Sequence, residues 1–252
     1  LEKEHTAVHE AGHALAAYVL EHADPVHKVT ILPTGMALGM TQQLPEEERY
    51  SHDKNFLQDM LCVLLGGRVA EMNVYDSQST GAQNDLVRGT EIARRMVREW
   101  GMSDRIGPMA WGAQGAVFLG EDLVHTRDYS DETARVIDEE VETILRGQEK
   151  RTVELLTKFR PGLDAVTKAL LQHETLDGIE VERLVDEAMG YRAGGPRRSF
   201  TIDGEVIAPD LLPADLNGDA LNGDALNGDA LSGDDEISAP AIGRFTEEPG
   251  SL

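Results

Sequence analysis

The run His9-Glu10-Ala11-Gly12-His13 holds the residue types needed for hydrolysis at a metal ion. On a helix, side chains four positions apart project from the same face, because four residues nearly complete a 3.6-residue turn. His9 and His13 are thereby placed to share one zinc ion, at Zn–N distances of about 2.0–2.1 Å. Glu10 follows the first imidazole and offers a carboxylate as general base toward a water on that zinc. Metal and carboxylate in this H-E-x-x-H pattern together make a nucleophile at neutral pH.

A catalytic zinc takes three protein ligands and keeps a fourth position for water, so two histidines leave one ligand to be found. Two downstream carboxylates are candidates. Glu71 follows Gly66-Gly67-Arg68-Val69-Ala70, and an acid at such a position is ordinarily exposed. Asp85 ends the polar run Ser79-Thr80-Gly81-Ala82-Gln83-Asn84-Asp85, where Asn84 and Asp85 ordinarily cap the helix that follows. Spacing alone does not choose between them.

These residues need elements to hold them. Glu2 to Glu21 contains no proline and predicts a helix, with Val8, Ala11, Leu15 and Val19 as its apolar stripe. The plain alternative is an amphipathic helix bearing two solvated histidines. Gly12 speaks against it, since glycine costs about 1 kcal/mol of helix propensity relative to alanine and suggests close approach of another backbone. Asp24-Pro25 ends this helix. Val26–Leu32 and Met36–Leu44, joined through Pro33-Thr34-Gly35, predict a small hairpin whose second arm is either an ordinary edge strand or one that receives an extended peptide. His52 to Asn73 predicts a second helix, with Gly66-Gly67 packing against the first helix beside Gly12. A third helix is expected over Leu86–Trp100, and Gly101–Leu119 reads as loops or brief strands. His125 receives no role. Ser130, with Asp131 and Glu132 in the first turn, announces a long helix running toward Phe159. Further helices follow from Pro161 to Leu171 and from Gly178 to Met189, making 130–190 a helical bundle.

The formal charge of the 252-residue chain is −23, which argues against nucleic acid as a partner, since that binding needs clustered Lys and Arg. Hydrophobic residues make up 40%, enough for a true core, yet no run approaches the 18 or so apolar residues of a membrane span. The single cysteine, Cys62, excludes an internal disulfide framework and reads as an inert core residue. From Ser199 to Leu252 there are twelve acids against one arginine, nearly half of the whole excess. Residues 216–235 repeat Leu-Asn-Gly-Asp-Ala three times and then Leu-Ser-Gly-Asp-Asp. The period is too short and too polar to build a core, so 191–252 is expected to be a disordered acidic tail. A calcium loop from Asp215 fails where glycine and a bidentate Glu are needed, at Ala220 and Leu226.

Read together, Thr6-Ala7-Val8-His9-Glu10-Ala11-Gly12-His13-Ala14 resembles the active-site helix of the FtsH family of ATP-dependent, membrane-anchored zinc metalloproteases. Leu38-Gly39-Met40-Thr41, Leu44-Pro45-Glu46-Glu47-Glu48-Arg49-Tyr50, Gly66-Gly67-Arg68-Val69-Ala70-Glu71, the run ending Asn84-Asp85, and Met96-Val97-Arg98-Glu99-Trp100-Gly101-Met102-Ser103 extend the likeness. Ser130-Asp131-Glu132-Thr133-Ala134-Arg135 and His173-Glu174-Thr175-Leu176 carry it, in collinear order, over residues 1–190.

The resemblance implies a mainly α fold: a helical zinc-protease domain over 1–190, with a small β-hairpin and a C-terminal helical segment. It implies that Asp85 is the third zinc ligand beside His9 and His13, that Glu10 is the catalytic base, and that Glu71 supports a ligand. It also implies a homo-hexamer that degrades unfolded or membrane proteins, with the protease domain cytoplasmic in a membrane-anchored parent. No Gly-rich phosphate loop ending in Gly-Lys-Ser/Thr occurs in this sequence. ATP and the membrane are therefore expected to be engaged only through N-terminal segments of a longer protein, the chain beginning at Leu1 being read as a soluble piece of it. The competing readings are a non-catalytic hexamer-assembly module with a vestigial metal site, and a structural zinc protein. The latter fits poorly, because closed structural sites favour four ligands, usually Cys-rich.

Overall fold

The backbone is mainly α-helical, as the patterning and the resemblance predict. The computed structural model describes residues 2–33, 35, 38–45, 48–111, 129–191, 199–200 and 206–207. In chain order these form α1 (Glu2–Val19), β1 (Val26–Thr30), β2 (Met40–Gln43), α2 (Lys54–Tyr75), a 3-10 turn (Thr80–Ala82), α3 (Gln83–Arg98), α4 (Asp131–Lys158), α5 (Arg160–His173), β3 (Thr175–Asp177), α6 (Gly178–Ala188), β4 (Ser199–Phe200) and β5 (Val206–Ile207). The helix starts follow from side chains that satisfy free backbone N–H groups. Asp53 accepts from Phe56 N at 2.7 Å, Ser130 from Thr133 N at 3.2 Å, and Asp177 from Glu180 N at 2.8 Å.

An apolar stripe predicts that α1 buries one face. Instead every residue from Ala7 to Val19 is buried, because α2, α5 and the sheet pack around this helix. Alanines at 7, 11, 14, 16 and 17 make that close packing possible. The α1–α2 crossing is tighter still. A Cβ on Gly12 would lie 2.4 Å from the Gly66 carbonyl oxygen and 2.6 Å from the Ala70 Cβ. Glycine at position 12 costs about 1 kcal/mol in propensity, whereas overpacking a core typically costs about 1–3 kcal/mol. The crossing decides in favour of glycine, and α2 runs through Gly66-Gly67 without a break.

The expected hairpin forms, with β1 and β2 antiparallel and Val29 opposite Thr41. A third strand was not expected. Glu174 adopts a left-handed conformation at the end of α5 (φ 61°), and β3 then pairs antiparallel with the other side of β1, giving the order β2-β1-β3. Three residues are too few to show a strand's alternation, which is why the pattern does not reveal β3. Helices α4 to α6 form the expected C-terminal helical segment and pack onto the rest of the fold. Leu155, Leu156, Phe159, Leu163, Leu170 and Val185 share one core with α1 and α2. A second core joins Phe56, Leu57 and Leu61 of α2 to Met96 and Val97 of α3 and to Ile137 and Val141 of α4.

Most of the expected acidic tail, including the Leu-Asn-Gly-Asp-Ala repeats, lies outside the described residues, as do His125 and Val117-Phe118-Leu119. Within 191–252 the two-residue strands β4 and β5 pair antiparallel. No described helix is long and apolar enough to cross a membrane.

Candidate metal centre

α1 delivers His9 and His13 side by side, as their spacing requires. Both are buried, and their Nε2 atoms lie 3.0 Å apart. The 3-10 turn and the start of α3 bring in Asp85, whose Oδ2 lies 3.4 Å from His9 Nε2 and 3.5 Å from His13 Nε2. Asp85 therefore does not cap α3; the cap position belongs to Ala82, which makes no side-chain capping bond. Of the two candidate acids, Asp85 faces the Nε2 atoms and Glu71 stands behind His9.

The far side of each ring fixes its tautomer. His9 Nδ1 lies 2.7 Å from Glu71 Oε1, and His13 Nδ1 lies 2.7 Å from the Val63 carbonyl oxygen. Both neighbours are pure acceptors, so each Nδ1 carries a proton, and in the neutral imidazole each Nε2 is left with a lone pair facing the other ring and Asp85. Glu71 is itself held by Ser79, whose backbone N–H and hydroxyl donate at 2.6 and 2.9 Å. Burial disfavours an ionised Glu71, but the hydrogen bonds from His9 and Ser79 outweigh it and hold the carboxyl below its usual range.

Three electron-pair donors within 4.8 Å of one another call for a cation. The fit to zinc is close. A tetrahedral ion with bonds of about 2.0–2.1 Å separates its ligands by about 3.3 Å, and the three donor separations here are 3.0, 3.4 and 3.5 Å. Without metal, a proton is the substitute. Burial lowers the His9 pKa, but hydrogen bonds to Asp85 and Glu71, with the charges of Glu10 and Glu71, more than reverse this and raise it to about 9. Asp85 is depressed well below the carboxylate range: burial opposes ionisation, and the two histidines overcome it.

Glu10 is buried beside the pair, with its Oε2 accepting from the Thr41 hydroxyl at 2.7 Å. Gly67 supplies the clearance under the rings, since a Cβ there would lie 2.6 Å from both Nε2 atoms. Several of these contributions escape a reading by residue type. Val63 acts through its carbonyl, and Thr41 and Ser79 are ordinary hydroxyls. Only the Gly66-Gly67 pair signals itself in the sequence, as a place of close approach.

The model of peptidase family M41 matches residues 1–184 of the chain. Two proteins named ATP-dependent zinc metalloprotease FtsH, from Acidimicrobium ferrooxidans and Nitrosococcus oceani, are 65% identical over 190 residues and 49% identical over 184 residues. These stretches are 75% and 73% of this chain, and 29% of each relative. ATP-dependent zinc metalloprotease FtsH 3 from Symbiobacterium thermophilum is 44% identical over 192 residues, covering 76% of this chain and 31% of that protein. The chain thus spans less than a third of the length of these curated relatives.

Proposed function

The chain belongs to peptidase family M41 and is a metallopeptidase; from that premise we propose that it is the zinc endopeptidase part of an ATP-dependent protease. His9, His13 and Asp85 hold the metal, and Glu10 is the proton acceptor. The observation that carries this reading is the convergence of those three donors within 4.8 Å, with the buried carboxylate of Glu10 alongside. Zinc, when bound, lowers the pKa of water and polarises a carbonyl.

The chain's own residues do the rest. Glu71 and the Val63 carbonyl orient the two imidazoles, and Gly67 leaves the space in front of them clear. Glu10 takes a proton from the attacking water and gives it to the leaving amine, so no Ser or Cys nucleophile and no acyl-enzyme is required. Strand β2 lies at the edge of its sheet, and its Thr41 touches Glu10. An extended polypeptide added to that edge would pass beside the base. A site that reads main chain in this way favours unfolded protein as substrate. ATP dependence is proposed for the whole protein on the names of the relatives; a hexameric ring, a membrane anchor and a cytoplasmic peptidase part are proposed on the family resemblance of the sequence alone.

The test is Glu10→Gln. This variant keeps one zinc per chain by atomic absorption and loses cleavage of casein, while a chelator abolishes cleavage by the parent and added zinc restores it. Casein cleavage at the parental rate by Glu10→Gln would overturn the assignment.

A further inference from the structure

Glu10 is only 7% exposed, and a buried carboxylate needs a donor. Strand β2 supplies one. Thr41 Oγ1 lies 2.7 Å from Glu10 Oε2 and 3.2 Å from the backbone oxygen of the same residue. A hydroxyl has one proton, and the shorter contact, to an ionised acceptor, is the stronger. Two residues earlier, just before β2 begins, Gly39 makes room for the other carboxylate oxygen. A Cβ on Gly39 would sit 2.7 Å from Glu10 Oε1, 2.7 Å from its Cγ and 2.9 Å from Thr6 Cγ2. The burial alternation along β2 turns Thr41 and Gln43 inward, with Met40 and Gln42 outward. Its backbone pairs with β1 on one side, and no described strand pairs with the other.

We propose that Thr41 is a positioning residue: its hydroxyl anchors the Glu10 carboxylate to the edge strand, with Gly39 providing the clearance that lets the carboxylate lie there. This rests on the reading of Glu10 as proton acceptor. One strand then fixes the base and offers the edge to which a substrate backbone adds, so the distance between base and scissile bond is set by a single rigid element. The anchoring is a matter of position, and loss of one hydrogen bond at a reacting group acts on turnover more than on binding.

The experiment uses the full zinc-loaded chain and fluorescein-labelled casein, with kcat and KM measured for Thr41→Val, Thr41→Ser, Gly39→Ala and Glu10→Gln. Thr41→Val keeps the shape without the donor, and its kcat falls between about tenfold and hundredfold with KM near the parental value. Thr41→Ser restores most of that loss. Gly39→Ala lowers kcat in the same direction with little change in Tm, because the new methyl meets flexible side-chain atoms and not backbone. Zinc content stays at the parental level in all three, and a crystal structure of Thr41→Val shows the Glu10 carboxylate displaced from β2. Parental kcat in Thr41→Val or Gly39→Ala overturns the proposal. So does a Thr41→Ser variant no better than Thr41→Val, or a loss of zinc that accounts for the loss of kcat. An inactive Glu10→Gln beside a fully active Thr41→Val sinks the anchoring role alone; a fully active Glu10→Gln sinks the reading of the base beneath it.

Discussion

In its first half, α2 carries Asp59 with no solvent exposure, and the chain supplies the balancing cation. Arg151 of α4 donates to Asp59 Oδ1 at 2.6 Å, while Oδ2 accepts from the His22 backbone N at 2.9 Å. Cys62 sits against the same group, 3.3 Å from Gln148 Oε1, and burial pushes its thiol up to about 11, fitting the inert core residue its surroundings predict. In its second half, α2 carries Glu71 and faces His9, His13 and Asp85, yet no Lys or Arg completes that cluster among the described residues. Both ends of one helix bury charge. The first end is closed by a protein cation and has no use for a ligand, whereas the second gathers lone pairs and leaves the positive charge to come from outside. A buried polar cluster is a binding site when its own residues do not neutralise it.

The largest effect that would sharpen this contrast is at the closed end. Arg151→Met leaves Asp59 buried without its guanidinium partner, and costs about 3–5 kcal/mol of unfolding free energy. A urea titration reads this as a lower midpoint, with zinc per folded chain unchanged. Zinc loss from the still-folded variant would show that the two ends are not independent.

At the open end the effect moves from stability to metal. Glu71→Gln removes the charged acceptor behind His9 and weakens zinc binding by about 10–100-fold. Competition with a chromogenic chelator measures this, and the urea midpoint shifts less than for Arg151→Met. Unchanged zinc affinity would mean that Glu71 is only a structural tether for Ser79.

The smallest effect concerns the proton that substitutes for the metal. His9 in the metal-free chain has its pKa raised from 6.5 to about 9, so at pH 7 zinc must displace its proton. About one proton is released per zinc at pH 7, and zinc affinity rises about tenfold per pH unit until pH approaches 9. Calorimetry in buffers of different ionisation enthalpy counts that proton. The sign for stability follows from the same shift. With the folded value above the unfolded one, the stabilisation of the metal-free chain is complete below about pH 6.5 and is lost as pH rises through about 9. Zinc uptake with no proton release would contradict the pairing of His9 with Asp85 and Glu71.

Much of the fold was legible because its signals are local. Asp53, Ser130 and Asp177 cap helices through bonds to residues three positions away, and such bonds are written into short sequence. The burial of α1 on every side was not legible, since Val8, Ala11, Leu15 and Val19 specify one face, and only neighbouring elements decide whether the others are covered. Strand β3 was hidden for a similar reason: Thr175–Asp177 becomes a strand only by finding β1.

For the centre itself, the division is sharp. The sequence alone determined that two imidazoles and one carboxylate share a helix, because a 3.6-residue period fixes the relative directions of His9, Glu10 and His13 before any tertiary contact forms. Which acid faces the imidazoles and which stands behind them was decided only when α2 and α3 packed onto α1. No periodicity links residues so far apart, so spacing leaves Asp85 and Glu71 equivalent; the family resemblance points to Asp85, and the physical distinction between them exists only in space. The Gly12–Gly66 contact is the physical reason that this packing holds: with no side chain between the two helices, their backbones approach closely enough to set the rings of one against the acid of the other.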